Sequence, residues 1–145
     1  MAYLMMSIKP KYAEKILNGS KTIELRKVRP KNAASGDIVV IYASSPKKSV
    51  VGLFAIADIM KSDPKQLWKH VRNRAGVEKS EFEDYFGGVR DAYGIIIGKT
   101  WLFKPEIRLS DINKLIPGFK VPQSFCYLSE DQFKSIVNMA GGIES

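Results

Sequence analysis

Three charged side chains within six residues, Lys21, Glu24 and Arg26, have the types and the spacing to act together. Ile23 and Leu25 alternate with them, which is typical of a β-strand with one apolar face. Because successive strand residues point to opposite faces, Glu24 and Arg26 share the face opposite the apolar pair. Lys21 has the parity of the apolar residues, but it stands at the start of the strand, where we expect it to lean outwards.

Two kinds of chemistry are open to this cluster. Lys21 could contact a phosphate or activate a nucleophile, and Glu24 could accept a hydrogen bond from a base amine or act as a general base. Arg26 could bind a phosphate with two parallel hydrogen bonds, or it could orient Glu24 through a salt bridge. The alternative is a solvated strand face whose ion pair contributes little to stability.

Basic residues are concentrated at the beginning of the chain. The protein has 145 residues and a formal net charge of +8. Residues 1–31 contain eight basic and two acidic side chains and carry +6, so the rest of the chain carries only +2. Lysines and arginines that contact phosphates release condensed counterions, and a local basic excess therefore indicates a polyanionic partner. The alternative is a charge that serves solubility alone.

The composition narrows the class of protein. Hydrophobic residues make up 45% and charged residues 26%, as in soluble globular domains. No apolar run approaches the roughly 20 residues that a membrane-spanning helix needs, and the apolar start lacks the basic leader of a signal peptide. Cys126 has no partner for an internal disulfide, and with His70 it gives too few ligands for zinc. We expect a cytoplasmic protein without a metal or cofactor.

The order of predicted elements favours an α+β domain that spans residues 1–145, with a disordered tail at 141–145. Strands and helices do not alternate regularly, which disfavours a doubly wound sheet and favours a small β-barrel decorated by helices. We predict five or six strands and about four short helices. The predicted strands are 3–8, 21–27, 38–42, 49–60, 91–103 and 122–128. The predicted helices are 10–18, 63–75, 80–86 and 129–140, with a helical turn at 111–115. The first helix has an apolar stripe of Tyr12, Ala13, Ile16 and Leu17, and Ser129 with Gln132 predicts a capping box at the start of the last one.

The spacing of Gly19, Lys21, Glu24 and Arg26 resembles the Gly-x-Lys-x-x-Glu-x-Arg signature of the ASCH domain family, within the PUA-like superfamily. Further segments in the same order support the resemblance. They are Ser7–Pro10, Gly36–Asp37, Tyr42–Pro46 and Pro122–Phe125. Together they are similar to the stand-alone group described as predicted regulators, over residues 3–137.

The resemblance implies a PUA-like β-barrel with helices at its rim. It also implies a cleft between the first helix, the signature strand and neighbouring loops. Members of the family are proposed to bind RNA or to act as transcription cofactors. Some small bacterial relatives hydrolyse N4-acetylcytidine, and others are ribonucleases.

Four polar residues stand at or just after the ends of predicted strands, at positions suited to such a cleft. Ser7 and Lys9 lie beside the start of the first helix, whose free N–H groups could bind an anion. Ser44 and Ser45 are hydrogen-bond donors on the loop after the central strand, where they could instead cap a turn.

Three more residues complete the predicted binding set. Gln123 and Ser124 could read a base edge, or they could satisfy the backbone of an edge strand. Tyr42, at the end of a central strand, is the candidate for base stacking. We assign the other large aromatic residues of the predicted helices and strands to packing, namely Trp68, Phe82, Tyr85, Phe86 and Trp101.

The resemblance also limits the catalytic interpretation. The amidohydrolase relatives carry a threonine nucleophile three residues after the lysine, and Glu24 stands at that position here. Their second catalytic glutamate has no aligned counterpart, although Glu78, Glu81 and Glu83 are near it in order.

The sequence therefore favours a regulatory domain that binds RNA or a nucleotide without catalysis. An enzyme acting on modified nucleosides or RNA, with Lys21 and Glu24 as the catalytic pair, is the alternative. A protein-interaction cofactor domain is a third possibility. Double-stranded DNA is not expected as the sole partner, because no helix-turn-helix pattern is present.

Overall fold

A computed structural model describes residues 1–144 of the chain. In that part the chain forms seven strands and five helices. The strands are β1 (Tyr3–Ile8), β2 (Ile23–Arg26), β3 (Ile38–Ala43), β4 (Ser49–Ser62), β5 (Ala92–Arg108), β6 (Phe125–Leu128) and β7 (Ile143–Glu144). The helices are α1 (Pro10–Leu17), α2 (Pro64–Val71), α3 (Lys79–Phe86), α4 (Leu109–Leu115) and α5 (Glu130–Met139).

All the strands join one mixed sheet in the order β2-β5-β4-β3-β1-β6, with β7 paired to β5. β1 and β3 run parallel, and the other pairs are antiparallel. The long β4–β5 ladder shifts register at three points, and such bulges increase local twist and bend a sheet. The sheet curls into a half-barrel, which confirms the predicted α+β fold with a small, helix-decorated β-barrel, although the structure has one more strand and one more helix than predicted.

Apolar side chains from the strands form a core on each face of the sheet. On one face α1 packs through Ala13 and Ile16, which are both almost fully buried. On the other face α4 and α5 pack through Ile112 and Ile136. α2 and α3 cover the β2 end of the sheet with a third apolar cluster. Because α1 and α3 approach β2 separately, a space remains between them.

α1 begins where the sequence predicts, since Pro10 is its first residue and Lys9 its N-cap in extended geometry. Its buried stripe is the predicted one. The helix follows directly from β1, so the end of β1 and the first turn of α1 form one wall of that space.

Two predictions of where ordered structure ends are wrong. β5 does not end at Phe103, as predicted, but continues to Arg108, because it lies against β4, whose Ser49 and Val50 pair with Arg108 and Ile107. The predicted disorder of 141–145 does not hold at Ile143–Glu144, which pairs with Leu102 and Phe103 of β5 as β7. Ser145 lies outside the described residues.

No helix within residues 1–144 is long and apolar enough to cross a membrane.

Candidate functional site

A cleft of about 590 Å³ lies between α1 and α3, with β2 as its floor. We call it the Lys21 cleft. Its lining combines cations, carboxylates and aromatic rings. The lining residues are Ser7, Ile8, Lys9, Tyr12, Lys21, Glu24, Leu25, Arg26, Lys27, Val77, Glu81, Phe82, Asp84 and Tyr85. The volume is typical of sites for small ligands.

Lys21 lies at the bottom of the cleft and is only 2% exposed. Its Nζ donates to the carbonyl oxygen of Ala75 at 2.6 Å. The chain here is fixed by two backbone bonds, from Lys21 N to Lys15 O at 3.0 Å and from Thr22 N to Arg74 O at 2.8 Å. The expectation that Lys21 leans outwards is therefore wrong, because the turn after α2 covers it and supplies its acceptor.

Burial is the main reason that the pKa of Lys21 is lowered from its usual value. Glu24 opposes this effect, since its Oε1 lies 3.5 Å from Lys21 Nζ. The ammonium also lies 5.3 Å from the centre of the Tyr12 ring, at cation–π distance. Lys21 is thus a buried amine whose proton is held less firmly than that of a surface lysine.

Glu24 and Arg26 form a buried ion pair beside Lys21. Arg26 Nη2 lies 2.8 Å and Nε 3.1 Å from the same oxygen, Oε2 of Glu24. Both residues are less than 9% exposed. The period-two prediction placed these side chains on one face, and the structure has them there, but that face is covered rather than solvated.

The remaining donors of Arg26 also point at protein atoms. Nη2 donates to Ser7 O at 3.1 Å, and Nη1 donates to Ser124 Oγ at 3.0 Å and to Ser124 O at 3.4 Å. The guanidinium therefore joins β2 to the end of β1 and to the segment before β6. Of the two roles predicted for Arg26, this geometry fits the orientation of Glu24, because its donors are directed at protein acceptors rather than at a phosphate.

The polar groups of this site are satisfied. Within residues 1–144, no buried side-chain nitrogen or oxygen lacks a hydrogen-bond partner. In the same residues, no group of three or more His, Cys, Asp or Glu side chains could hold a metal ion. The floor of the Lys21 cleft is a complete network of two cations and one carboxylate.

Tyr12 and Glu81 connect α1 to α3 across the cleft. The Tyr12 hydroxyl donates to Glu81 Oε2, and Lys11 Nζ lies 3.4 Å from the same oxygen. Burial, followed by the hydrogen bond to Glu81, raises the pKa of Tyr12 to about 12. The hydrogen bond from Tyr12 is also the main cause of the lowered pKa of Glu81. Tyr12 therefore stays protonated far above neutral pH.

The sequence did not identify Tyr12 and Tyr85 as site residues. Tyr12 was part of the apolar stripe of α1, and Tyr85 was assigned to packing. Tyr85 is 39% exposed and lines the cleft, with Lys27 Nζ lying 4.9 Å from its ring centre. A usable signal was the position of Tyr12, one helical turn after Lys9, where its hydroxyl can reach the same space.

The other predicted site residues divide into two groups. Ser7 and Lys9 line the cleft, and Ser124 accepts a hydrogen bond from Arg26, which lines it. Ser44 Oγ lies 3.5 Å from Ile8 O, where a hydroxyl satisfies local backbone. Five predicted residues are absent from the lining: besides Ser44 and Ser124, they are Ser45 and Gln123, which are exposed, and Tyr42, which is buried.

Tyr42 does not offer a stacking surface. It pairs with Ser7 across the β1–β3 ladder, and its side chain packs with Met5 and Val50 at 4% exposure. Burial raises its pKa. The stacking prediction for Tyr42 is wrong because its strand lies in the middle of the sheet, where both faces are covered.

Known proteins share the sequence pattern and the fold of this chain. A family model described as the ASCH domain matches residues 6–95. A protein of Zymomonas mobilis named ASCH domain-containing ribonuclease is 29% identical over 140 residues, which are 97% of this chain and 93% of that protein. The crystal structure of ASCH from Zymomonas mobilis is similar with a TM-score of 0.90 and 27% identity, covering 97% of this chain and 96% of that one. A Pseudomonas putida structure, at 18% identity over 95% of this chain and 99% of that one, has a TM-score of 0.60 and shares the fold alone.

Proposed function

The chain belongs to the ASCH domain family, with the PUA-like fold, and on that basis we propose that it binds single-stranded RNA in the Lys21 cleft. The observation that carries the proposal is the buried Lys21–Glu24–Arg26 network at the floor of a cleft with basic and aromatic walls. The Zymomonas mobilis relative, which matches 97% of this chain, is named a ribonuclease, and this name supports RNA as the class of ligand.

The rim of the cleft suits a sugar-phosphate backbone. Lys9 and Lys27 are exposed on opposite sides of it, on the α1 side and at the end of β2. Two exposed cations at the opening attract successive phosphates, whereas Glu81 and Asp84 of α3, which also line the cleft, repel phosphates from their own part of the wall. The backbone thus runs along the rim, and a base points inwards.

The interior of the cleft suits an unpaired base. Tyr12 and Tyr85 supply aromatic faces on two walls, and stacking on such rings is the usual way in which proteins hold single-stranded RNA. Of the two oxygens of Glu24, Oε1 makes the weaker contact, since Lys21 Nζ lies 3.5 Å from it whereas Arg26 is bound to Oε2. It is the acceptor for a donor on a base edge. A base within a duplex could not reach it, which is why we propose a single strand.

Fluorescence anisotropy with single-stranded RNA at two salt concentrations tests this binding. We expect binding that weakens with salt, and a loss of at least about tenfold in affinity for Glu24→Gln, which removes the acceptor charge but keeps the shape. Glu130→Gln, which changes an exposed carboxylate of α5, is the matched control and should bind like the wild type. Absence of binding at low salt, or equal affinity of Glu24→Gln and wild type, would overturn the proposal.

Cleavage of the bound RNA is a second candidate function. It is favoured by two groups in one cleft: an amine that loses its proton more readily than a surface lysine, and a hydroxyl that keeps its proton at neutral pH. Lys21 has a lowered pKa and can accept a proton when neutral, while Tyr12 has a pKa of about 12 and keeps a proton to donate. The Zymomonas mobilis relative is named a ribonuclease, which agrees with this chemistry.

The balanced reaction is an attack within one ribonucleotide. The 2′-hydroxyl gives its proton to the neutral Lys21 amine, and its oxygen bonds to phosphorus while the bond from phosphorus to the 5′-oxygen breaks. Tyr12, whose hydroxyl turns from Glu81 towards the leaving group, gives its proton to the departing oxygen. The products are a 2′,3′-cyclic phosphate and a 5′-hydroxyl. Lys21 then passes its proton, through solvent, back to Tyr12, and the site is restored.

Incubation with single-stranded RNA followed by mass spectrometry tests cleavage. We expect fragments with cyclic phosphate ends, and turnover lowered about 10²- to 10⁴-fold in Lys21→Met and in Tyr12→Phe. Lys114→Met, an exposed lysine of α4, is the control and should cleave normally. Bound but intact RNA would leave binding in the Lys21 cleft as the function and would exclude cleavage.

A further inference from the structure

We propose that a second surface, formed by Lys65, Lys69, Arg72 and Arg74, binds the phosphates of the RNA strand beyond the nucleotide held in the cleft. We call it the α2 basic face. It lies on α2 and the turn that follows that helix. This inference rests on the proposed function, since it assigns the path of the same RNA outside the Lys21 cleft.

The buried apolar side of α2 determines which way its basic side faces. Leu67 and Val71 are fully buried in the cluster beneath α2 and α3. Lys65, Lys69 and Arg72 follow the i, i+4, i+7 spacing of a single helical face, so they share the side turned to solvent. All three are exposed, which gives a row of cations along one helix.

The cations of this face are free of carboxylates. No acidic residue occurs between Pro64 and Val77. In residues 1–144, none of the four side chains of the α2 basic face takes part in an ion pair or a side-chain hydrogen bond. Lysines elsewhere on the surface contrast with them, since Lys104, Lys114 and Lys134 each lie within 4 Å of a carboxylate. Unpaired basic rows of this kind are the electrostatic footprint of phosphate contacts.

The turn that carries this face also builds the Lys21 cleft. Arg74 O accepts from Thr22 N, and Ala75 O accepts from Lys21 Nζ. Gly76 O accepts from Lys15 Nζ at 3.0 Å, and Val77 lines the cleft itself. An RNA strand that leaves the cleft over this turn therefore meets Arg74 and Arg72 first, and then the lysines of α2.

The test compares a short and a longer RNA on the full-length protein. A trinucleotide reaches only the cleft, whereas a single strand of about twelve nucleotides can reach both surfaces. The test variant combines four substitutions on the α2 basic face: Lys65→Gln, Lys69→Gln, Arg72→Gln and Arg74→Gln. Glutamine is a good helix former, so the exposed helix keeps its structure, which a thermal melt verifies. The control variant combines Lys104→Gln, Lys114→Gln, Lys120→Gln and Lys134→Gln, with the same change in net charge.

We expect the test variant to bind the longer RNA at least about tenfold more weakly at low salt. The slope of log affinity against log salt should fall by about 2–3, since each phosphate contact on a single strand contributes about 0.7. Affinity for the trinucleotide should stay unchanged, and the control variant should bind both RNAs like the wild type.

Two results would overturn this inference while the proposed function stands. One is equal affinity of the wild type and the test variant for the longer RNA. The other is an equal loss in the test and control variants, which would reflect net charge rather than a surface. If the wild type binds neither RNA, both the proposed function and this inference fail.

Discussion

Arg26 directs two of its nitrogens, Nε and Nη2, at a single oxygen of Glu24, at 3.1 and 2.8 Å. This leaves the other oxygen, Oε1, facing Lys21 at 3.5 Å, a longer and weaker contact. The carboxylate is therefore anchored firmly by Arg26 through one oxygen and held more loosely by Lys21 through the other. The Gly-x-Lys-x-x-Glu-x-Arg spacing thus encodes an oriented acceptor at the floor of the Lys21 cleft.

Replacing Arg26 by lysine should destabilise the protein although it keeps the charge. A lysine ammonium cannot reach Glu24, Ser7 and Ser124 together, so buried acceptors lose their donors. A buried acceptor left without its donor costs about 1–3 kcal/mol, and we expect a loss of this order in the free energy of urea unfolding. Arg90→Lys, at an exposed position, is the control and should stay within about 0.5 kcal/mol of the wild type. A stable Arg26→Lys protein would show that the network is dispensable.

The stability contributed by Lys21 should increase with pH. Its pKa is lowered from 10.5 in the folded state, chiefly by burial, so the unfolded chain binds more protons between the two pKa values. The free energy of unfolding therefore rises through that window and levels off above about 10.5. Lys21→Met lacks this titration. Urea unfolding at several pH values gives the free energy of unfolding of both proteins. We expect the wild type to gain stability relative to Lys21→Met as the pH rises. A difference that does not change with pH would contradict the lowered pKa.

Tyr12 should titrate at about pH 12. The difference in near-ultraviolet absorbance between the wild type and Tyr12→Phe isolates this hydroxyl from the other tyrosines. Since its pKa is raised, Tyr12 contributes stability that is complete below pH 10 and is lost between pH 10 and 12. Glu81→Gln should lower the pKa, because the acceptor charge is removed, whereas Glu83→Gln on the exposed side of α3 should leave it in place. A midpoint near 10 in the wild type would refute the Tyr12–Glu81 contact.

Gly76 should tolerate alanine less well than Gly88 does. Both have positive φ, 68° and 79°, and alanine in that conformation costs about 1–2 kcal/mol. Only at Gly76 would the new Cβ meet another side chain, Lys21 Cβ at 3.1 Å, while Gly88 faces open space. We therefore expect Gly76→Ala to unfold at lower urea concentration than Gly88→Ala and to bind RNA more weakly. Equal effects would mean that Lys21 is not held by this turn.

Local patterns in the sequence predicted those parts of the fold whose causes are local. The capping box at Ser129 and Gln132 forms as expected, and Asp63 caps α2 by accepting from Gln66 N. The parity of Glu24 and Arg26 is also correct, because it follows from strand geometry alone.

The environment of the site depends on contacts that are distant in sequence. Lys21 is bonded to a carbonyl 54 residues away, and Tyr12 to a carboxylate 69 residues away. Arg26 reaches Ser124 across 98 residues. A pattern read within one strand predicts which side chains share a face, but burial depends on the turn and the helix that cover it. For this reason Lys21 was expected outside and Tyr12 was not expected in the site.

Crystals of the protein grown with a short single-stranded RNA test the central proposal most directly. We expect nucleotide density in the Lys21 cleft, with a base edge at Glu24 Oε1, a ring stacked on Tyr12 or Tyr85, and a phosphate near Lys9 or Lys27. RNA bound elsewhere on the surface, with the cleft empty, would contradict the account.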